Sequence, residues 1–148
     1  DVHKAGNTHK IEIVEQRLLV EPGSFVLDIQ QAAPYFRQQG ALGFINSFVN
    51  NALPGMKHPI SGVFDVLELL YHTHPTQHAG LSLAVSHDTI LAAIVAVISG
   101  NKQIECSDWP EMMEGLFVWF EGKDFNQSKL KWIWRGQKHE LLMQDFQI

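Results

Sequence analysis

Between Leu81 and Gly100 the pattern of apolar residues switches within a few positions, and few folds accommodate that switch. Leu81-Ser-Leu-Ala-Val85 is a short apolar run bounded by Gly80 and a polar cluster, which reads as a buried strand. Ser86-His87-Asp88-Thr89 follows. Ile90 to Ser99 then reads as a helix ended by Gly100, with Asp88 or Thr89 placed to cap it. A strand that turns directly into a helix belongs in an α/β arrangement. In open α/β sheets ligands gather at the carboxyl ends of the strands. A helix amino terminus there presents free N–H groups and a positive dipole end, which suits phosphate. A histidine on such a turn can donate a hydrogen bond to a phosphoryl oxygen, and an adjacent carboxylic acid can protonate a leaving alcohol. The same tripeptide also serves as a cap beside a surface histidine, and residue types alone leave both readings open.

The rest of the chain supplies more helix and a hairpin. Residues 1–9 are polar, and Ile11 to Val20 suggests a strand that Pro22-Gly23 breaks. Ser24 is placed to cap a helix from Phe25 to Gln38 that Gly40 closes. Pro34 inside it costs about 3 kcal/mol and predicts a kink or an early end. Leu42, Ile45 and Val49 recur at helical spacing before Leu53-Pro54-Gly55. Pro59 opens the clearest helix, running to His72, with Val63, Phe64, Val66, Leu67, Leu70 and Tyr71 on a broad apolar face. Gly115–Glu121 and Leu130–Arg135 read as a hairpin joined by Gly122–Lys129. Trp119, Trp132 and Trp134 alternate along these strands as packing residues do, and Met112-Met113 reads as core. The expected architecture is an α/β sandwich, a mixed sheet with flanking helices, in one domain spanning 1–148.

Composition excludes several classes. At 148 residues, 45% hydrophobic and 18% charged, the chain has the make-up of a globular domain able to bury a core. Its apolar run Ile90–Ile98 is too short to span a bilayer. A formal charge of −5, with eleven scattered Lys and Arg, argues against a nucleic-acid partner. The sequence opens with no charged segment followed by an apolar stretch, so no signal peptide is expected in it. One cysteine, Cys106, rules out an internal disulfide and is expected to be a free buried thiol.

The run Leu83-Ala-Val-Ser-His87-Asp88-Thr89-Ile-Leu-Ala-Ala resembles the strand, His-Asp-Thr turn and following helix of the histidine acid phosphatases. Trp109-Pro110 falls where that family places its Trp-Pro, and Phe120-Glu121-Gly122-Lys123 and Trp132-Ile-Trp-Arg-Gly136 resemble its later strands. Leu53-Pro54 and His58-Pro59 fit more loosely. The likeness covers residues 53–143 and leaves 1–52 unassigned. It implies a histidine-phosphatase-like fold of which this is the carboxyl-terminal part. It also implies phosphomonoester hydrolysis without a metal or other cofactor, and a secreted or periplasmic setting. His87 would bind the phosphoryl group and Asp88 would be the general acid. The family's Arg-His-Gly-x-Arg motif, source of the histidine nucleophile and two phosphate-binding arginines, occurs nowhere here. A covalent mechanism does not run without its nucleophile. The implied partners are therefore a phosphate monoester or phosphate ion, and a second chain or an amino-terminal segment that supplies the nucleophile. A sheet cut this way would leave an unpaired edge and apolar surface, favouring pairing with another chain.

Two other readings stand beside this one. The chain could be a non-catalytic domain that binds a phosphorylated ligand or a protein. Alternatively, His72-Thr-His74-Pro75 with Ser82 resembles the zinc motif of JAMM-type metalloproteases, although the aspartate needed three residues after the serine is Val85. His72, His74 and His78 near a helix carboxyl terminus also suit its dipole with no metal.

Overall fold

The computed structural model of the chain describes residues 12–21, 23–74 and 80–147. Three helices, α1 (Ile29–Val49), α2 (Pro59–Thr73) and α3 (Asp88–Ser99), precede a three-stranded antiparallel sheet of β1 (Phe117–Glu121), β2 (Lys129–Trp134) and β3 (Gln137–Leu142) in that spatial order. Single 3-10 turns lie at Arg17–Leu19, Cys106–Asp108 and Met143–Asp145.

Helix α3 packs against both α1 and α2. Its Ala92, Ala93 and Ala96 are buried and present little side chain, so the neighbouring helices approach closely, while Ile90, Ile94 and Ile98 fill the space between. On α2, Val63, Val66 and Leu67 are fully buried, each contributing about 1.5–3 kcal/mol relative to exposure. That helix begins where His58 Nδ1 accepts the Ile60 N–H at 3.3 Å and Pro59 occupies the first turn. Gly62 lets the Phe25 ring lie against α2, because a Cβ there would come within 2.7 Å of the ring. Helix α1 is two helical stretches meeting at Gly40 (φ 68°, ψ 176°).

The sheet closes the core through one face. Leu130 and Trp132 of β2 are buried, and Phe64 and Tyr71 of α2 meet Phe120 and Phe125 at ring-centroid distances of 4.9 to 5.4 Å. The outer face carries ion pairs from Lys131 to Glu121 (2.7 Å) and from Lys129 to Glu140 (3.2 Å).

Mixed α and β content and four of the expected elements, α2, α3, β1 and β2, are present, but several details differ. The sheet is wholly antiparallel rather than mixed. Leu81–Val85 is an irregular, exposed segment, with Leu81, Leu83 and Val85 at 81%, 85% and 78% exposure, because it has no neighbouring strand among the described residues. The first helix starts at Ile29, not Phe25, since the Asp28 side chain accepts from the Gln30 and Gln31 amides and outcompetes Ser24 as a cap. It continues through Pro34 and breaks at Gly40. In place of a strand, residues 12–20 hold only the Arg17–Leu19 turn. A third strand, β3, pairs with β2 through a two-residue turn at Arg135-Gly136, both at positive φ as a type I′ turn demands. Met112 and Met113 are exposed at 92% and 94%, lifted off the body by a turn in which Met113 takes φ 65°. Cys106 is exposed. Trp132 is core, but Trp119 points to the sheet's other face, under Lys138, where its Nε1 donates to Glu121 at 3.3 Å.

Candidate functional site

Three stretches of chain converge on the start of α3. His87 immediately precedes the helix in an extended conformation (φ −99°, ψ 154°), and its imidazole makes no capping bond and is exposed. Asp88 opens the helix. Its Oδ1 accepts the Thr89 N–H at 2.8 Å and its Oδ2 accepts the Trp109 indole N–H at 3.0 Å. A carboxylate at a helix amino terminus is stabilised by the dipole, which favours this placement. Thr89 is buried and its hydroxyl donates to the Glu21 carboxylate. The Ser86 hydroxyl donates to the Leu19 carbonyl at 2.7 Å, fastening the same corner to the segment before α1.

Trp109 is itself held from behind. Arg135, on the turn between β2 and β3, donates to the Trp109 carbonyl at 3.0 Å and to the Ser107 carbonyl at 2.5 Å. It also makes a two-pronged pair with Glu114 (2.7 and 3.0 Å), and its guanidinium lies over the Trp134 ring. The Arg135 hydrogen bonds lower the Glu114 carboxyl below its ordinary range, with the Glu111 amide adding to the effect, and Arg135 is raised in return. The sheet thereby positions a loop, the loop positions an indole, and the indole orients the Asp88 carboxylate.

His87 and Asp88, predicted from sequence as the phosphate ligand and the acid, are neighbours on one exposed turn, and Trp109 of the Trp-Pro pair bonds directly to Asp88. Arg135 and Glu21 are additions that sequence reasoning missed. Arg135 lies 26 residues from the carbonyl it grips, and Glu21 lies 68 residues from Thr89, so neither contact has a local signal. The zinc reading finds a different geometry. His72 and His74 pack around the Tyr71 ring, His74 Nδ1 pairs with the Tyr71 carbonyl, and the Ser82 hydroxyl is engaged by the Thr73 carbonyl at 2.9 Å. Among the described residues no group of three His, Cys, Asp or Glu side chains could hold a metal ion. His3, His9 and His78 lie outside the described residues. His58 caps α2 through its Nδ1, and His139 stacks on Trp132 at 5.3 Å.

Among the described residues no helix is long and apolar enough to cross a membrane. No family model, curated protein or solved structure matches this chain.

The chemistry open to this corner follows from its charges. Among the described residues, Asp88 and Glu21 put two carboxylates beside the helix start, against one imidazole. An incoming phosphate therefore meets hydrogen-bond donors and a dipole, but a local charge balance that needs further cations.

Proposed function

We propose that this chain is the acid-bearing segment of a histidine acid phosphatase-like phosphomonoesterase. In this reading His87 binds the phosphoryl group and Asp88 protonates the leaving alcohol. The observation that supports it best is the Asp88–Trp109 hydrogen bond. It links the two motifs whose spacing first suggested the family, and it holds a carboxyl group at an exposed helix start. The shortage of cations among the described residues at this corner fits a site that an Arg-His-Gly-x-Arg segment completes. Such a segment brings both the nucleophile and two arginines, and arginine suits phosphate through its two-pronged donors.

The test is hydrolysis of p-nitrophenyl phosphate across the acid-to-neutral range, with and without a chelator. The purified chain alone should show no turnover. Activity recovered on adding an Arg-His-Gly-bearing segment should resist the chelator and disappear in Asp88→Asn. Activity that a chelator removes, or that survives Asp88→Asn, would overturn the assignment.

A further inference from the structure

Between Gly80 and His87 the chain has neither turn nor bend. Among the described residues, no backbone N–H or carbonyl from Gly80 to Ser86 pairs with another backbone group. Side chains fasten the segment instead. Ser82 donates to the Thr73 carbonyl at 2.9 Å and Ser86 to the Leu19 carbonyl at 2.7 Å. Four positions apart, these serines share one face of an extended chain, and Leu81, Leu83 and Val85 alternate with them. All three apolar side chains are largely exposed. An apolar row on an unpaired extended backbone is a template for another strand.

The residues of the segment specify that strand, because their pattern is symmetric about Leu83. Turned end for end, the segment places Leu81 opposite Val85, Ser82 opposite Ala84 and Gly80 opposite Ser86. Two copies paired antiparallel therefore set apolar against apolar and small against small, with Leu83 meeting its own counterpart on a two-fold axis. No charged residue occurs from Gly80 to Ser86, so no like charges meet. The free edge at β3 differs, since it carries Lys138 and Glu140, and charged side chains guard an edge against pairing. We infer that Gly80–Ser86 is a self-recognition strand that joins two copies of this chain in an antiparallel two-fold pair. Seven residues a side make a small contact, and a two-stranded ribbon is marginal by itself. The pair is accordingly weak: dilute solutions hold the monomer, and the dimer appears as concentration rises. The inference stands apart from the phosphatase reading, because it uses neither His87 nor Asp88.

The test is disulfide trapping in the full chain, with Cys106→Ser removing the native thiol. Directly opposed residues of an antiparallel pair have Cα atoms about 4.5–5.5 Å apart, within the reach of a disulfide. Leu83→Cys should therefore cross-link to itself in oxidised glutathione. Met112→Cys, at another exposed residue, sets the rate of chance collision, which Leu83→Cys should exceed. Leu81→Cys alone should not exceed it, because its counterpart lies about 13 Å along the ribbon. Mixing Leu81→Cys with Val85→Cys should bring the fast product back. In sedimentation equilibrium the unaltered chain should shift towards dimer as concentration rises, and Leu83→Lys should abolish the shift. These positions are exposed, so the substitutions leave the core intact. A Leu83→Cys rate no faster than that of Met112→Cys would overturn the inference. So would self-linking of Leu81→Cys as fast as that of Leu83→Cys, or an unaltered chain that stays monomeric into the millimolar range.

Discussion

Two stretches of chain reach the same corner of α3, and they are built to different standards. From the carboxyl-terminal side, the loop carrying Trp109 is gripped by Arg135 through two carbonyls and a carboxylate before its indole bonds Asp88. From the amino-terminal side, residues 80–86 arrive exposed, with side-chain bonds from Ser82 to Thr73 and from Ser86 to Leu19. Asp88 is accordingly oriented by its surroundings, whereas among the described residues the His87 ring makes no capping bond. In the proposed reading, an oriented carboxyl group beside an unfixed histidine would form one half of a phosphate site. Pre-organisation of a side chain depends on the shell behind it, and among the described residues that shell is denser on the carboxyl-terminal side.

The contrast is sharpened first by removing the grip. Arg135→Ala deletes a charge-assisted pair and two carbonyl bonds. Discounted for the third of the side chain that water reaches, the loss should be about 1–3 kcal/mol in urea unfolding. Amide exchange should rise at Ser107 to Glu114 and at Asp88, and stay unchanged along α2. An Arg135→Ala chain whose Trp109 and Asp88 signals do not move would remove the case for a supported side.

Acid should act next, in the same direction. The Glu114 carboxyl is lowered from its ordinary value of 4.5 chiefly by the Arg135 hydrogen bond. A group whose folded pKa lies below its unfolded one adds stability that is complete above the unfolded value. That stability disappears as the pH falls through the folded value. The loop should therefore loosen below the ordinary carboxylate range. Glu114→Gln should be less stable at neutral pH and flatter in its response to acid, as read by unfolding midpoints at several pH values. Glu121, lowered mainly by Lys131, remains as the sheet's own acid-sensitive pair and gives the background slope.

The sparsely held side should respond more weakly. Ser86→Ala removes one hydroxyl bond to Leu19, for about 0.5–1.5 kcal/mol, and should increase exchange at His87 without disturbing Trp109. Leu83→Ser, at a residue 85% exposed, should change stability by no more than about 0.5 kcal/mol. A larger loss in Leu83→Ser would mean the segment is packed in solution, and sedimentation would then show whether a second copy packs it.

Much of the frame was legible from residue patterns, and the misses have physical causes. Pro59 followed by Val63, Val66 and Leu67 marks α2 because a proline start and a continuous apolar stripe allow few alternatives. The alternation Leu130, Trp132, Trp134 marks β2 for the same reason. Strand β3 was hidden because Gln137-Lys-His-Glu140 is polar throughout. It forms as an exposed edge because the Arg135-Gly136 turn folds it back onto β2. Leu81–Val85 misled in the opposite way: its composition suits a strand, but a strand exists only where a neighbour accepts its hydrogen bonds. At the candidate site, His87 and Asp88 were visible as adjacent residues before a helix. The grip of Arg135 and the reach of Glu21 were not, since both depend on how distant segments fold together.

The most direct measurement is a titration of inorganic phosphate into the full chain near pH 5, followed by amide and imidazole shifts. Saturable shifts confined to His87 through Ile90, in the millimolar range and abolished in His87→Ala, are the expected result. No response at those residues, or the same response in His87→Ala, would contradict the view that this turn is a phosphate site.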